Sequence, residues 1–484
     1  AEAARIRADI SAAEAIAAQK IAEEQKALAL IAEAKAVKNE KTAVEQTKRA
    51  EAESKRANEA AARALRQQYL STAKGMALKS KELTNDVELE SLIAQQAYLF
   101  NTAHVGYPYD NDVYNGLSKA LTQNNDPLTL NLEGHDNGAA RALVAHAKAN
   151  HIYSGGSDGR IIQWSLVGNK WTPKELVPFR GSIYQVFAMD VSADGKWLAA
   201  GGLAAGNALQ NYVELYDLQN VTAPPKKISG FSLNVDDIEF TPDNKGFYAR
   251  DNAGRSIKYS DLSTAKEIFT TKMKITDIAL SPDGSRLAGT GSNGVLYSWD
   301  LKNNYAIKEV FKNPSGAELT TLAYAPDGSR RIVVGDNNGL LRLVTEDAST
   351  PTRILSGHTA HIEQIRFNHS GKFLATTSRD RSVRLWNWEM LNEPPIVLSD
   401  HADWVWSATF SPNDDQLLVG INSSSSTSAK TNETIHAWPT EIESMSDLLC
   451  KYVTRNITKL EWDTYVSPDL KYEKTCSNFP ANDK

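Results

Sequence analysis

The first seventy positions contain no glycine and no proline, and their apolar residues are spaced for a helix. Ile6, Ile10, Ala13 and Ala17 follow a 4-3-4 interval, while Ile21/Leu28 and Val37/Val44 each recur at seven. This spacing predicts one long helix with a thin apolar stripe whose phase slips between Leu28 and Val37. The segment holds 23 Ala, 13 Lys/Arg and 11 Asp/Glu, chiefly strong helix formers. Glu45/Arg49, Glu51/Lys55 and Glu59/Arg63 put the acid four residues ahead of the base, the better orientation. Two readings fit residues 1–68: a coiled-coil stalk or oligomerisation arm, and a solvated single helix or an end segment that packs against the next domain. Residues 69–124 read as a small helical adaptor. Leu70, Ala73, Met76 and Ala77 form one of its faces, and Val87, Leu89, Leu92, Ile93, Ala97 and Phe100 another. Residues 110–121 add a third piece.

The period changes at residue 127. From there to residue 440 short apolar alternations flank recurring turns. Ser192-Ala193-Asp194-Gly195, Ser281-Pro282-Asp283-Gly284 and Ala325-Pro326-Asp327-Gly328 are three of them; others begin at Thr241, Asn368 and Ser411. A further strand then ends on a bulky residue: Trp164, Tyr216, Tyr259, Trp299, Val344, Trp386 and Trp438. The intervals between these are 52, 43, 40, 45, 42 and 52 residues. A four-stranded propeller blade repeats every ~40–45 residues, so the spacing predicts seven blades with two longer insertions. Residues 127–132 have no earlier strand of their own blade. They are expected to complete the last blade beside residues 433–438 and remove an open edge.

Gly134-His135 … Ser154 … Asp158 … Trp164 and Gly357-His358 … Thr376 … Asp380 … Trp386 resemble the signature of the WD40 repeat. The resemblance implies a mainly β fold, a seven-bladed WD40 β-propeller over 127–440, preceded by the long helical arm and the adaptor. It also implies that each of these two repeats holds a structural tetrad of histidine, hydroxyl, aspartate and tryptophan. A buried imidazole bridging a carboxylate and a hydroxyl leaves no polar group orphaned. The aspartate slot reads Asp158, Gln210, Ala253, Asn293, Asn338, Asp380 and Asn432 across the repeats. Only the first and sixth repeats are therefore complete, and Asp400-His401 in the seventh is a partial match.

With 41% hydrophobic and 23% charged residues among 484, the composition is that of an ordered globular chain. A formal charge of −6 supplies no basic footprint, so no nucleic-acid partner is expected. No apolar run approaches the ~20 residues of a membrane span. Ala1 opens inside a helical pattern without Met, which reads as a fragment or a processed product. Cys450 and Cys476 are the only cysteines; they rule out a four-cysteine zinc site, and their spacing alone leaves pairing open. The tail over 441–484 carries Leu449-Cys450-Lys451 … Arg455-Asn456-Ile457-Thr458 … Glu461-Trp462 … Thr475-Cys476. It resembles the terminal segment of bacterial multidomain proteins with WD40 arrays, often of the STAND signalling-NTPase type. Residues 85–92 with Ala94-Gln95-Gln96-Ala97 are similar to the helical linker entering those arrays. This resemblance implies a Cys450–Cys476 disulfide and a propeller on the periplasmic or otherwise extracytoplasmic side. It also implies membrane association through a segment outside this chain.

Candidate chemistry is sparse. Gly155-Gly156-Ser157-Asp158-Gly159 matches the Gly-x-Ser-x-Gly string, but a nucleophile elbow needs a strand-to-helix turn and this one joins two strands. His358 and His361 with His401 suggest a metal site, but His358 and His401 occupy Gly-His slots in different blades, and Asp110-Asn111-Asp112 lacks the glycine and bidentate acid of a calcium loop. No phosphate-binding Gly-x-x-x-x-Gly-Lys-Ser/Thr occurs. Neither metal, cofactor nor enzymatic activity is expected. The remaining surface is the propeller face formed by the loops before each innermost strand and by the tight turns. Gly138, Gln185, Asn234, Lys274, Glu318, His361 and Trp404 align in one slot around the channel, with Asn337 and Arg379 beside them. Trp404 next to His361 and Arg379 has the composition of a binding hot spot; the competing reading is that it caps its own blade. The chain is thus expected to be a non-catalytic protein-interaction module. It would be the sensor or scaffold of a larger bacterial signalling or membrane-associated assembly, with a protein partner and self-association through 1–68. The alternatives are a structural stalk-and-cap subunit of a cell-envelope complex, and a propeller hydrolase using Lys274, Glu318 and His361.

Overall fold

Seven four-stranded antiparallel sheets succeed one another in the computed structural model. It describes every residue except 136–137, 147, 169, 181–183, 205–211, 271–272, 348–350, 400, 402, 422–432 and 483–484. Contacts divide the chain into two units, residues 1–71 and 72–484. Helix α1 (Glu2–Ser80) is uninterrupted, as its lack of Gly and Pro before residue 75 demands, and every side chain through residue 68 is exposed. Residues 1–68 therefore have no core, and their Ile and Leu side chains stay in solvent.

In the second unit, Ala73, Met76, Ala77 and Ser80 are buried at the end of α1. Helices α2 (Val87–Ala103) and α3 (Asn111–Gln123) follow, each opened by an aspartate. Asp86 accepts from Leu89 N at 2.9 Å, and Asp110 accepts from Asp112 N at 3.0 Å. α3 lies along the outer strand of the sixth blade, Ile396–Leu398. Asn111 Oδ1 accepts from Val397 N (2.8 Å), and Asn115 Nδ2 donates to Val397 O (3.3 Å). Two asparagines one turn apart thus satisfy an edge strand that would otherwise present unpaired backbone. Tyr114 Oη donates to Pro439 O (2.5 Å), fixing the same helix to the seventh blade.

The tail continues from the last strand into α4 (Ile442–Leu449) and folds back over α2. Gln95 Nε2 donates to Ser446 Oγ (2.9 Å), Thr475 Oγ1 donates to Gln96 Oε1 (2.8 Å), and Trp462 packs edge-on against Phe100. Cys450 and Cys476 are joined by a disulfide across 26 residues. Beside it, buried Asn456 donates to three carbonyls, those of Cys476, Phe479 and Pro480, and accepts from Cys476 N.

The ring of blades closes with a strand from the other end of the repeat region. Leu132 pairs with Ile435 and Glu133 with Glu433. The closing strand is shorter than the 127–132 expected: Pro127–Thr129 is a 3-10 turn capped by Asp126 and only Leu132–Glu133 enter the ladder. Proline cannot donate a ladder hydrogen bond. Side chains extend the closure, because Gln416 Oε1 accepts from Trp171 Nε1 (2.9 Å) and Gln416 Nε2 donates to Leu128 O (3.0 Å). The seven bulky residues occupy one position, each paired across to the second residue of its neighbouring strand, as in Ile152/Trp164, Leu374/Trp386 and Leu417/Trp438.

Candidate functional site

The inner strands of the seven blades are Ala140–His146, Tyr184–Val191, Val235–Phe240, Ile275–Leu280, Leu319–Tyr324, Ile362–Phe367 and Val405–Phe410. Each slips register at one residue, in order Arg141, Phe187, Asp236, Thr276, Thr320, Glu363 and Trp406. A bulge takes one side chain out of the alternation. All seven of these side chains line a central channel of ≈ 410 Å³. Neighbouring blades are laced together at the same level. Asp237 accepts from Ile278 N (2.8 Å), Asp277 from Leu322 N (2.9 Å) and Gln364 from Ala408 N (2.7 Å). Thr276 and Thr320 donate to the carbonyls of Leu319 (2.6 Å) and Ile362 (2.7 Å).

The turn after each second strand folds onto the start of the inner strand. Ser157 N donates to Ala139 O, Asn252 N to Asn234 O, Ser292 N to Lys274 O, Asn337 N to Glu318 O and Arg379 N to His361 O. The aligned slot therefore exists, two residues before each bulge, but in the first blade it is held by Ala139 rather than Gly138. The hairpins of the Pro-Asp-Gly type lie at the other end of the inner strands, because the ladders are antiparallel, and they do not join this face. Lys274, Glu318, His361 and Arg379 line the channel, whereas Gln185, Asn234 and Trp404 stand outside its lining.

Trp404 is 40% exposed and meets Trp406 edge-on at 5.6 Å. The Arg379 guanidinium lies 4.8 Å from the Trp404 ring centre and 6.0 Å from that of Trp406. Its Nε donates to Glu363, whose other oxygen is 3.9 Å from His361 Nε2. Burial holds His361 below the ordinary imidazole range despite Glu363, so the ring is neutral at pH 7. Glu363 thus links Arg379 and His361, and Arg379 in turn lies over Trp404. Arg141 completes the group: its guanidinium lies 3.9 Å from the Trp406 ring centre and 5.1 Å from that of Phe187. Sequence reasoning missed Arg141, Phe187, Glu363 and Trp406. Each sits at the bulge, where counting the alternation back from the ladder that follows, as from Gln364 in the channel lining, would have pointed it away from the channel.

The opposite wall is acidic. Arg250 reaches Asp236 (2.9 Å) and Asp237 (3.4 Å), and Arg366 stands 3.9 Å from Glu239. Burial pushes the carboxyls of Asp236, Asp237 and Glu239 up, and neighbouring acids push Asp237 and Glu239 further. Asp190, which accepts from Phe240 N (2.7 Å), is raised to about 6 by burial.

Two blades carry the complete polar tetrad. His135 Nδ1 is 3.0 Å from Asp158 Oδ1 and its Nε2 is 2.8 Å from Ser154 Oγ, which also accepts from Trp164 Nε1 (2.8 Å). A carboxylate only accepts, so the proton sits on Nδ1 and Ser154 donates to Nε2. Gly156 is required beside it, since a Cβ there would stand 2.2 Å from His135 Nδ1. In the sixth blade His358 spans Asp380 (2.9 Å) and Thr376 (2.8 Å), with Trp386 Nε1 donating to Thr376 (3.2 Å). Burial alone would raise Asp380, but bonds from His358 and Ser382 bring it well below the carboxylate range.

The other blades bury different polar links. Arg180 Nη1 donates to both oxygens of Glu214, which also accepts from Tyr216 (2.7 Å). Arg342 pairs with Asp336 (2.7 Å), and Asn293 donates to Tyr297 Oη (2.8 Å). In the seventh blade His401 is buried, while Asp400, Asn432 and the second blade's Gln210 lie outside the described residues. Ser157 of the Gly-x-Ser-x-Gly string sits in a strand-to-strand turn, where its Oγ accepts from Arg141 Nε (3.0 Å). Among the described residues no group of three or more His, Cys, Asp or Glu side chains is arranged to hold a metal ion.

A family model described as "WD domain, G-beta repeat" matches residues 127–165, 265–300, 349–387 and 392–430. The chain is 26% identical to "Protein LST8 homolog" of Drosophila melanogaster over 239 residues, 46% of this chain and 72% of that protein. It is 25% identical to "Target of rapamycin complex subunit LST8" of Mus musculus over 240 residues, 46% of this chain and 71% of that protein. "Periodic tryptophan protein 2 homolog" of Dictyostelium discoideum is 24% identical over 253 residues, 51% of this chain and 26% of that protein. Among solved structures, the "WD40 beta propeller domain of Doa1" superposes with a TM-score of 0.53 at 18% identity, covering 65% of this chain and 97% of that one. This last likeness is one of fold.

Proposed function

From a chain that carries WD40 repeats in a seven-bladed propeller, we propose a non-catalytic scaffold that binds a protein partner on the face around Trp404, His361 and Arg379. The observation that carries this reading is Trp404 itself. A large aromatic side chain is held 40% exposed at the channel mouth by Trp406 beneath it and by Arg379, which Glu363 fixes. Rigid aromatic and guanidinium groups that are already positioned lose little entropy on binding. Slot residues Lys274, Glu318, Gln185 and Asn234 extend the face. The mouse relative is by name a subunit of a complex, which accords with a scaffold role. No enzymatic role is proposed: Lys274, Glu318 and His361 share the channel, but His361 is engaged with Glu363 and the Ser157 hydroxyl is held by Arg141.

On this reading the chain is the sensor or scaffold part of a larger assembly of the bacterial STAND-like kind, which the tail resemblance favours. Its propeller lies in an oxidising compartment, since a structural disulfide such as Cys450–Cys476 persists there. Self-association through 1–68 is supported by the exposed Ile6, Ile10, Ile21 and Leu28 along α1. The same exposed helix favours, as a second reading, a stalk-and-cap subunit in which α1 drives assembly. Full chain recovered from its native cells should carry a partner that Trp404→Ala loses. A Trp404→Ala protein that retains the partner removes this site. A Lys274/Glu318/His361 triple alanine variant that abolished a hydrolytic activity would replace the scaffold reading with an enzymatic one.

A further inference from the structure

Five cationic side chains line the channel. Arg250, Arg366 and Arg379 each stand within 4 Å of a carboxylate. Arg141 does not. Among the described residues its guanidinium makes one hydrogen bond, from Nε to the neutral Ser157 Oγ (3.0 Å). Both Nη groups are left without an acceptor. They are nevertheless held in place: the group lies against the Trp406 ring at 3.9 Å and near Phe187 at 5.1 Å, and the Nε bond fixes its remaining rotation. Beside it, the buried indole Nε1 of Trp406 is a second donor without an acceptor among the described residues.

An arginine flattened against aromatic rings with its outer fork free is built for a planar two-oxygen anion. We propose that the channel wall at Arg141 binds a carboxylate presented by the partner's polypeptide, either an Asp or Glu side chain or a chain terminus. The inference rests on the partner-binding reading above and names the chemistry the channel selects. A carboxylate suits the site better than a phosphate. The fork of Arg141 offers two parallel donors, and the lining carboxylates Asp236, Asp277, Glu318 and Glu363 repel a dianion more strongly than a monoanion. The flanking Trp406 and Phe187 faces favour a partner residue with apolar neighbours.

Fluorescence anisotropy on the full chain tests this with four sets of labelled random hexapeptides. One is amidated and carries a single Glu; the second is identical with Gln; the third carries Gln with a free terminal carboxylate; the fourth is amidated with phosphoserine. The Glu or free-terminus set is expected to bind about tenfold more tightly than the amidated Gln set, the worth of one charge-assisted pair. Whichever of the two binds identifies the source of the carboxylate. Arg141→Gln should abolish that preference and Arg141→Lys should restore only part of it. Arg141→Gln must keep the wild-type thermal midpoint within a few degrees to count. If it does not, Phe187→Leu, which keeps the charge and opens one wall, should weaken the Glu set alone. Equal binding of the Glu and Gln sets that Trp404→Ala lowers would leave the partner face standing and overturn the carboxylate site. Preferred phosphoserine binding, or no set binding at millimolar concentration, would also overturn it.

Discussion

Inside the seventh blade the rings of His401 and His436 lie 5.2 Å apart, and neither nitrogen of His401 has a hydrogen-bond partner among the described residues. Burial, and then the proximity of His436, pushes His401 down to about 3, so it is neutral at pH 7. Trp438 Nε1 is likewise unsatisfied. For the indole and one of the imidazole nitrogens the reason is one residue. Where the first and sixth blades place Ser154 and Thr376, the seventh has Val419, two residues beyond the partner of its tryptophan.

Val419→Thr should therefore stabilise the protein by about 1 kcal/mol, because the new hydroxyl meets an indole donor and an imidazole acceptor already in place. Burying a hydroxyl elsewhere in a core costs energy, so the sign is diagnostic. A urea midpoint that rises checks it; a fall of similar size would show that His401 and Trp438 are not poised for that group.

Asp158→Asn in the first blade should act in the opposite direction. The amide can still accept from Arg160 N, but it cannot pair with the Nδ1 proton of His135 as a charge, and the fully buried chain through Ser154 to Trp164 loses its anchor. A loss of about 2–3 kcal/mol is expected from denaturant unfolding. His135→Ala added to Asp158→Asn should cost much less than the sum of the two single losses, since both break one network.

How much of this was legible beforehand differs sharply between fold and site. The intervals between Trp164, Tyr216, Tyr259, Trp299, Val344, Trp386 and Trp438 encode seven blades because each residue fills the same ladder position. The hydroxyl and aspartate of the complete tetrads stand at fixed offsets from that tryptophan, and the histidine within one residue of the same offset. The channel wall is not encoded in this way. Part of it comes from a bulge in every inner strand, and alternation counted back from the regular ladder puts Arg141, Glu363 and Trp406 on the wrong side. The substitutes for the tetrad were equally hidden, since Arg180 comes from a loop and Glu214 from a strand of the second blade, and Arg342 and Asp336 from paired strands of the fifth, partners that only the folded blade brings together. The asparagines of α3 that satisfy Val397 depend on a packing that no local pattern records.

Asp190, on the inner strand of the second blade, predicts a pH dependence with a definite sign. Asp190 is raised from its ordinary value to about 6, with burial as the main cause and Arg366 and two backbone N–H groups opposing it. A carboxyl whose folded value lies above its unfolded value binds its proton more tightly when folded. Its stabilising contribution is complete below about pH 4 and is lost as pH rises through about 6. Asp190→Asn should remove this loss, of the order of 1 kcal/mol for a partly exposed group. Urea midpoints at pH 5 and 7.5 should therefore converge in the variant relative to wild type. An unchanged difference would assign the dependence to Asp237 and Glu239 instead.

Opening the Cys450–Cys476 bond, by Cys450→Ser with Cys476→Ser, releases a loop of 26 residues. The loss expected is about 3 kcal/mol. It should appear first in the tail and α2, as amide exchange at Asn456, Trp462 and Thr475, while the blades remain protected. Simultaneous exchange of the blades would show that tail and propeller unfold as one unit.

The central claim is that a partner sits on the face around Trp404. The most direct measurement places a photo-crosslinking residue singly at 274, 318 and 361 on that face, and at 243, 283 and 327 in the hairpins of the opposite face, in native cells. The account predicts that the first three positions give a common crosslinked product that disappears with Trp404→Ala, and that the second three do not. Crosslinks confined to the hairpin positions would contradict it.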